Sequence, residues 1–408
     1  MSFKEWKTYR LCEIPLEIID GDRGKNYPKQ DEFSSNGYCL FLNTGNVSLN
    51  GFNFSKTQFI TKSKDTVLNK GKLKRDDVVL TTRGTLGNIG YFSSEIPFDN
   101  IRINSGMVIL RNRDENELNT KYLYQYLKSS LFKDQVISFS SGSAQPQLPI
   151  KDLREIEITL PTVKIQQNIA SILSSLDDKI ELNRQTNQTL EGIAQTLFQE
   201  MCVPKGEELP EEWRKCIISN LFEVKDGTHD SPKQKLEGKY LITSKHLLKD
   251  GTIDFNSAYK ISVEDFNEIN KRSKVDNFDI LYSMIGTIGN TLLVNEDIVD
   301  FSIKNMGLFK TSQKQDLASF IYLFLKSEFA IQYMKERYSG STQQYVTLKT
   351  LREIPINLPN QKTITEFNKI AVPVFEQIKN NIQENQTLIA LRDSLLPKLM
   401  KGEIEIEI

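Results

Sequence analysis

The chain has 408 residues, too many for one ordinary hydrophobic core, so two or three domains are expected. Hydrophobic residues make up 38% and charged residues 26%, no apolar run approaches the ~18 residues of a membrane span, and the first ten residues are polar, so a soluble cytoplasmic protein with no membrane contact is expected. Two histidines and four cysteines without Cys-x-x-Cys spacing argue against a zinc site or a disulfide framework, and a net charge of -1 argues against a uniformly basic nucleic-acid binder.

Residues 1–160 carry 22 basic and 19 acidic side chains, the only mildly positive segment. Apolar runs such as Val78-Val79-Leu80 and Met107-Val108-Ile109-Leu110 sit between Gly, Asn, Asp and Ser clusters, which predicts strands and turns. Leu118 to Phe132 has helical spacing. From Val163 to Glu200, Ile169, Leu173, Leu176, Ile180, Leu190, Ala194, Leu197 and Met201 form a heptad-like seam. At about 1.5 Å per residue that helix is a rod of about 57 Å, which needs a partner. Residues 207–359 repeat the globular pattern with 20 basic and 22 acidic side chains, Leu317 to Met334 being the second predicted helix. Residues 360–408 supply the partner rod through Phe367, Ala371, Val374, Ile378, Leu388, Leu395 and Leu399, with Pro373 expected to end or kink its first turns.

These halves are a tandem duplication. Ser141-Gly142-Ser143-Ala144-Gln145 recurs as Ser339-Gly340-Ser341-Thr342-Gln343, and Leu153-Arg154-Glu155-Ile156 as Leu351-Arg352-Glu353-Ile354. Upstream, Gly84-Thr85-Leu86-Gly87-Asn88 matches Gly286-Thr287-Ile288-Gly289-Asn290 at a different offset, so loop lengths differ. Both rods carry asparagines in the seam, Asn183 and Asn187 in one, Asn381 and Asn385 in the other. An antiparallel pair would set Asn183 against Asn385 and Asn187 against Asn381, fixing register at a cost in stability. The alternative is that they simply end the buried stripe.

No phosphate-binding Gly-x-x-x-x-Gly-Lys-Ser/Thr loop, dinucleotide fingerprint, nucleophile elbow or His-Glu-x-x-His helix is present. The adjacent carboxylates Asp177 and Asp178 diverge by about 100° on a helix, which predicts a solvated face and not a metal site.

Leu153 to Pro161, leading into Gln166-Gln167-Asn168-Ile169-Ala170 and then Leu176-Asp177-Asp178-Lys179-Ile180-Glu181-Leu182-Asn183-Arg184, resembles the central region of the DNA-specificity subunits of type I restriction-modification enzymes. The second copy departs from it at Pro373 and from Gln377 to Asn381. The resemblance implies an α+β fold: two mixed α/β target recognition domains of similar fold, related by pseudo-twofold symmetry and separated by two long antiparallel coiled-coil helices. The expected divisions are 1–160 and 207–359 for the recognition domains, and 161–206 and 360–408 for the helical spacers.

It further implies a non-catalytic subunit in which each recognition domain reads one half of a bipartite asymmetric site in double-stranded DNA. The helices would set the spacing and dock two methyltransferase subunits, with motor-nuclease restriction subunits completing the complex. S-adenosylmethionine, ATP and magnesium are expected on those partners and no cofactor on this chain. A free-standing bipartite DNA-binding regulator is the alternative, and a coiled-coil scaffold or an enzyme with an unrecognised site are more distant rivals.

Glycine permits close backbone approach, and amides or guanidinium groups read base edges, so loops combining them are the candidate contacts. In the first half these are Arg83, Thr85, Asn88, Ser141, Ser143, Gln145 and Gln147, with Arg23, Lys25, Thr44 and Asn46 secondary. In the second half they are Ser283, Thr287, Asn290, Ser341, Gln343, Gln344 and Tyr345, with Lys245 and His246 secondary. Lys70, Lys72, Lys74 and Arg75 form a further candidate run for phosphates, or a solvated loop.

Overall fold

The computed structural model describes residues 6–48, 51–140, 146–206, 208–248, 250–296 and 298–404. The chain opens with Lys7–Arg10 (β1), Leu16–Asp20 (β2), Cys39–Leu42 (β3), Val47–Ser48 (β4), Gly51–Phe52 (β5), Phe59–Ile60 (β6), Lys62–Val67 (α1), Val78–Thr81 (β7), Ile89–Tyr91 (β8), Ile101–Ile103 (β9) and Met107–Asn112 (β10). Thr120–Lys128 (α2), Ser130–Phe139 (α3), Ile150–Leu153 (α4) and Glu157–Leu160 (β11) lead into the helix Val163–Cys202 (α5). The second half runs Arg214–Ile217 (β12), Val224–Asp226 (β13), Lys239–Ile242 (β14), Lys260–Ile261 (β15), Val263–Ser273 (α6), Ile280–Ser283 (β16), Thr291–Leu293 (β17), Phe301–Ile303 (β18) and Met306–Phe309 (β19). Ala318–Leu325 (α7), Glu328–Lys335 (α8), Leu348–Arg352 (α9), Pro355–Leu358 (β20) and the helix Gln361–Met400 (α10) complete it.

Each half is built on an antiparallel four-stranded sheet, in the order β2-β10-β7-β8 and again β13-β19-β16-β17. The strands read as unbroken apolar runs because both faces are covered. Successive side chains point to opposite faces, so Val78, Leu80, Val108 and Leu110 enter one core with Tyr122, Leu123 and Phe132, while Val79, Met107 and Ile109 enter another with Leu40, Leu42 and Ile103. The second half divides Ile280 and Tyr282 from Leu281 in the same way. Three-stranded sheets β6-β3-β9 and β15-β14-β18, each with one parallel pair, form the second layer.

The single helix expected over Leu118 to Phe132 is two, α2 and α3, and so is its counterpart, α7 and α8. Ser129 donates to the Tyr126 carbonyl (2.6 Å) and accepts from the Phe132 amide (3.4 Å), closing one helix and capping the next. Ser327 does the same with Phe324 (2.6 Å) and Ala330 (3.3 Å). A serine inside an apolar periodicity is inconspicuous in sequence, and its hydroxyl decides the break.

The chain forms two compact units, Met1–Ile180 with Thr387–Ile408, and Glu181–Gln386, so the boundary falls inside both long helices. Helix α5 gives Ile169, Ala170 and Leu173 to the core of the first unit and Ala194, Phe198 and Cys202 to that of the second. Helix α10 gives Ile364, Phe367, Ala371 and Phe375 to the second and Leu396, Leu399 and Met400 to the first. The break expected at Pro373 is absent: α10 runs through it without interruption over its 40 residues. Pro373 and Lys369, whose carbonyl loses its amide donor, are both exposed, so water replaces the bond while Phe367, Ala371 and Phe375 anchor the helix on its other face.

Within the first unit, Asp177 is not on a solvated face as expected. It accepts from Gln125 (2.8 Å), Lys128 (2.5 Å) and Arg392 (2.9 Å) in a largely buried cluster, while Asp178 is exposed. Within the second unit, Asn183 donates to Asn385 (2.9 Å) and Glu384 (2.7 Å), and Asn381 donates to Asn187 (2.7 Å) and accepts from Gln377 (2.8 Å). Asn183, Asn381 and Asn385 are buried and Asn187 half-buried. As one number rises the other falls, so these stretches of α5 and α10 run antiparallel.

Asn183→Ala removes the bonds from Asn183 to Asn385 and Glu384 in the buried seam and is expected to cost about 1–3 kcal/mol. The double replacement of Asn183 and Asn385 by leucine should cost less, which urea unfolding measures; equal costs would mean the amides are not coupled. Burial alone would raise the Asp177 carboxyl, but Lys128, Gln125 and Arg392 outweigh it and hold it below its ordinary 3.8. A depressed carboxyl stabilises the fold above its unfolded value and loses that contribution as pH falls through the folded one. Asp177→Asn should therefore lower stability near pH 7 by about 1–3 kcal/mol and flatten the acid limb of the stability curve below about pH 5. Parallel curves for variant and parent would rule this out.

Candidate nucleic-acid interface

Strands β2 and β7 both pair antiparallel with β10, so both end beside the start of β10. Three connections therefore meet at one end of the sheet: residues 20–24, 82–88 and 104–106. The Gly106 carbonyl accepts from the Thr82 (2.8 Å) and Arg83 (3.2 Å) amides, while Arg23 donates to the Ser105 carbonyl (3.3 Å) and to Asp20 (3.2 Å). The second unit repeats this: Gly227 donates to the Met306 carbonyl (2.8 Å), and Ser283 lies opposite Met306 in the ladder.

The Gly-Thr-x-Gly-Asn motifs turn sharply on glycines of positive φ, Gly84 (71°) and Gly87 (84°), then Gly286 (76°) and Gly289 (95°). Their polar side chains are engaged within the fold. Thr85 donates to the Thr44 carbonyl (3.1 Å) and Asn88 to that of Val47 (2.9 Å); Thr287 donates to Ser244 (3.3 Å) and Asn290 to Leu247 (3.4 Å). The anchoring turns match as well. Asn46 accepts from the Asn43 amide (3.0 Å) and His246 Nδ1 from the Thr243 amide (3.0 Å).

Three further candidate contacts are buried in the scaffold. Asn46 is 3% exposed and also donates to the Asn53 and Lys56 carbonyls, His246 and Ser283 are 0% exposed, and the Ser283 hydroxyl donates to the Ile285 carbonyl (3.3 Å). Burial, with Lys245 alongside, pushes the His246 pKa down. Polar residues beside glycine loops do not show in sequence whether their groups face a carbonyl of the same chain.

The structure brings the two candidate loops of each half together. Arg83 bridges to Gln147, and Ile285 to Tyr345. Leu148 donates to the Thr82 carbonyl (3.0 Å) as Val346 does to Met284 (2.8 Å). Ser141, Ser143 and Gln145 lie outside the described residues. In the second unit, Ser339 and Tyr345 close a hairpin through two 2.9 Å bonds, with Ser341, Gln343 and Gln344 exposed at its tip. Gly340 is obligatory there, because a Cβ would lie 2.3 Å from the Gln343 carbonyl oxygen. The tip and the Gly286 loop line an open groove of about 620 Å³.

Arg83, Gln147, Lys25 and Lys245 are exposed, Thr44 is half-buried, and Tyr345 is 41% exposed. In the cationic run, Lys72 pairs with Asp65 (2.5 Å) and Arg75 with Asp99 (2.8 Å), leaving Lys70 and Lys74 as its exposed members outside those pairs. The four helix asparagines face one another as described.

A second repeat in this region escaped the sequence comparison: Asp20-Gly21-Asp22-Arg23 matches Asp226-Gly227-Thr228-His229. Both glycines are required, since a Cβ would come within 2.2 Å of the Asn104 oxygen or 2.5 Å of the Ile303 oxygen. The Asp-Gly pair was the available signal. Burial pushes the Cys39 and Cys202 thiols up to about 12, which leaves them unreactive. Among the described residues no group of three His, Cys, Asp or Glu side chains is placed to hold a metal ion, and no helix is long and apolar enough to cross a membrane.

The family model of the type I restriction modification DNA specificity domain matches residues 3–192 and again 210–391. The chain is 26% identical over 356 residues to the MjaIX specificity subunit of Methanocaldococcus jannaschii, covering 81% of this chain and 78% of that protein. It is 24% identical over 486 aligned residues to the HindI specificity subunit of Haemophilus influenzae, covering 98% and 100%. The crystal structure of the S subunit of a type I restriction-modification system from M. genitalium shares the fold, with a TM-score of 0.56 at 15% identity over 97% of this chain and 96% of that one. One match of the specificity model to each repeat settles the assignment: the chain belongs to the type I restriction-modification DNA specificity family.

Proposed function

We propose that each unit reads one half of a bipartite, asymmetric sequence in double-stranded DNA at the sheet end described above. The observation that carries this reading is a duplicated scaffold with unlike tips. Thr85 and Asn88 anchor one loop as Thr287 and Asn290 anchor the other, yet Arg83 and Gln147 stand where the second unit has Ile285 and Tyr345. Equal frames with different donors suit two readers of different bases.

In this reading α5 and α10 set the distance between half-sites and dock two methyltransferase subunits, and motor-nuclease subunits join that core. Exposed apolar residues on them, Ile172, Leu182 and Ile193 on α5 and Ile370, Val372 and Leu391 on α10, support a role as docking faces. The chain itself holds no cofactor: S-adenosylmethionine, ATP and magnesium belong to the partners.

The test is to co-express the chain with the methyltransferase subunit of its own genome and map methylated adenines. A split motif that disappears when the chain is deleted is expected. Arg83→Ala should relax the first half of that motif, reducing discrimination at one position by about 1–3 kcal/mol, and leave the second half intact. Failure to form a complex, with methylation unchanged, would favour the free-standing regulator.

A further inference from the structure

We infer that each unit carries a guanidinium for a DNA phosphate at the same sheet end as the reading loops, Arg23 in the first and Arg272 in the second. The inference rests on the half-site reading above. Asp20 and Asp226 are the last residues of β2 and β13, the equivalent edge strands of the two sheets. Each holds an arginine, but from different places in the chain. Arg23 lies three residues after Asp20 and donates to it (3.2 Å). In the second unit that position is His229, whose ring nitrogens face Asp226 (2.9 Å) and Asn305 (2.8 Å), and the guanidinium comes instead from Arg272 at the end of α6, paired with Asp226.

A guanidinium is thus held at the equivalent strand end in both units, although different elements supply it. The exposures point outward as well. Asp226 is 7% exposed, whereas the side chains of Arg23 and Arg272 are 49% and 58% exposed. The carboxylate, buried at Asp226 and half-buried at Asp20, occupies part of the exposed guanidinium's donor fork and leaves the remaining N–H groups in solvent. The site lies beside the 104–106 turn, which bonds Arg23 on one side and Arg83 on the other. A strand of DNA laid on the reading loops therefore brings its backbone past this guanidinium. Asp230, exposed near the second site, leans on the Thr228 hydroxyl (3.4 Å) and disfavours a broad anion surface there, so a single phosphate is the ligand assigned.

The experiment measures binding of the full chain to a duplex of arbitrary sequence between 50 and 200 mM salt. Each lost phosphate contact lowers the slope of log affinity against log salt by about 0.9. Arg23→Ala and Arg272→Ala should each do so, cutting the fall in affinity over that range by about three- to fourfold. Arg23→Lys and Arg272→Lys should retain the slope, which separates lost charge from lost folding, and His229→Ala should leave it unchanged. Unaltered slopes in both alanine variants, with DNA still bound, overturn this inference and leave the half-site reading standing. A changed methylation motif in place of a changed slope would make these residues base readers and equally overturn it. No binding by the parent chain, alone or in complex with its methyltransferase subunit, would overturn both readings.

Discussion

The candidate interface depends on one backbone constraint, the antiparallel pairing of two strands on either side of a third. Because β2 and β7 both run against β10, their carboxyl ends emerge together beside the turn that enters β10. Residues as far apart in sequence as Asp20 and Thr81 then share one sheet end without any side-chain interaction having to assemble them. The same pairing of β13 and β16 on β19 builds the second surface. Main-chain hydrogen bonds tolerate almost any side chain outside the ladder, so the end of the sheet is a place where loops can differ while the frame stays.

Fixing the loops on that frame is a separate task, carried by threonine and asparagine side chains whose partners are carbonyls about forty residues away. The Thr85 and Asn88 bonds reach the turn around Thr44, and Thr287 and Asn290 reach the turn around Ser244. Bonds to carbonyls carry no information about neighbouring side-chain identity. They can therefore be common to both units while Arg83 and Ile285, or Gln147 and Tyr345, diverge next to them.

This division explains what the sequence made legible. The duplication, the two rods and the asparagine layers were readable because they are periodic or repeated, and the loops were readable as loops from their glycines. Which polar residues of those loops face outward was not, because Ser283, His246 and Asn46 differ from an exposed donor only in the long-range neighbour that each meets. Asp177 was misread for the same reason: its partners Lys128 and Arg392 are 49 and 215 positions away. Pro373 was read by local rule, and the rule lost to packing on the opposite face of α10.

The polar layers of the helix pair give up stability relative to leucine, and the reason lies in what they forbid. An apolar seam packs almost as well after a slip of one turn. A slip here would part Asn183 from Asn385 and Asn187 from Asn381 and break those seam hydrogen bonds, at about 1–3 kcal/mol each. In the other unit the same slip would carry Arg392 away from a largely buried Asp177. Each unit thus holds its stretch of α5 against α10 by a penalty on every other register. The seam thus gives up the last increment of stability for a single register.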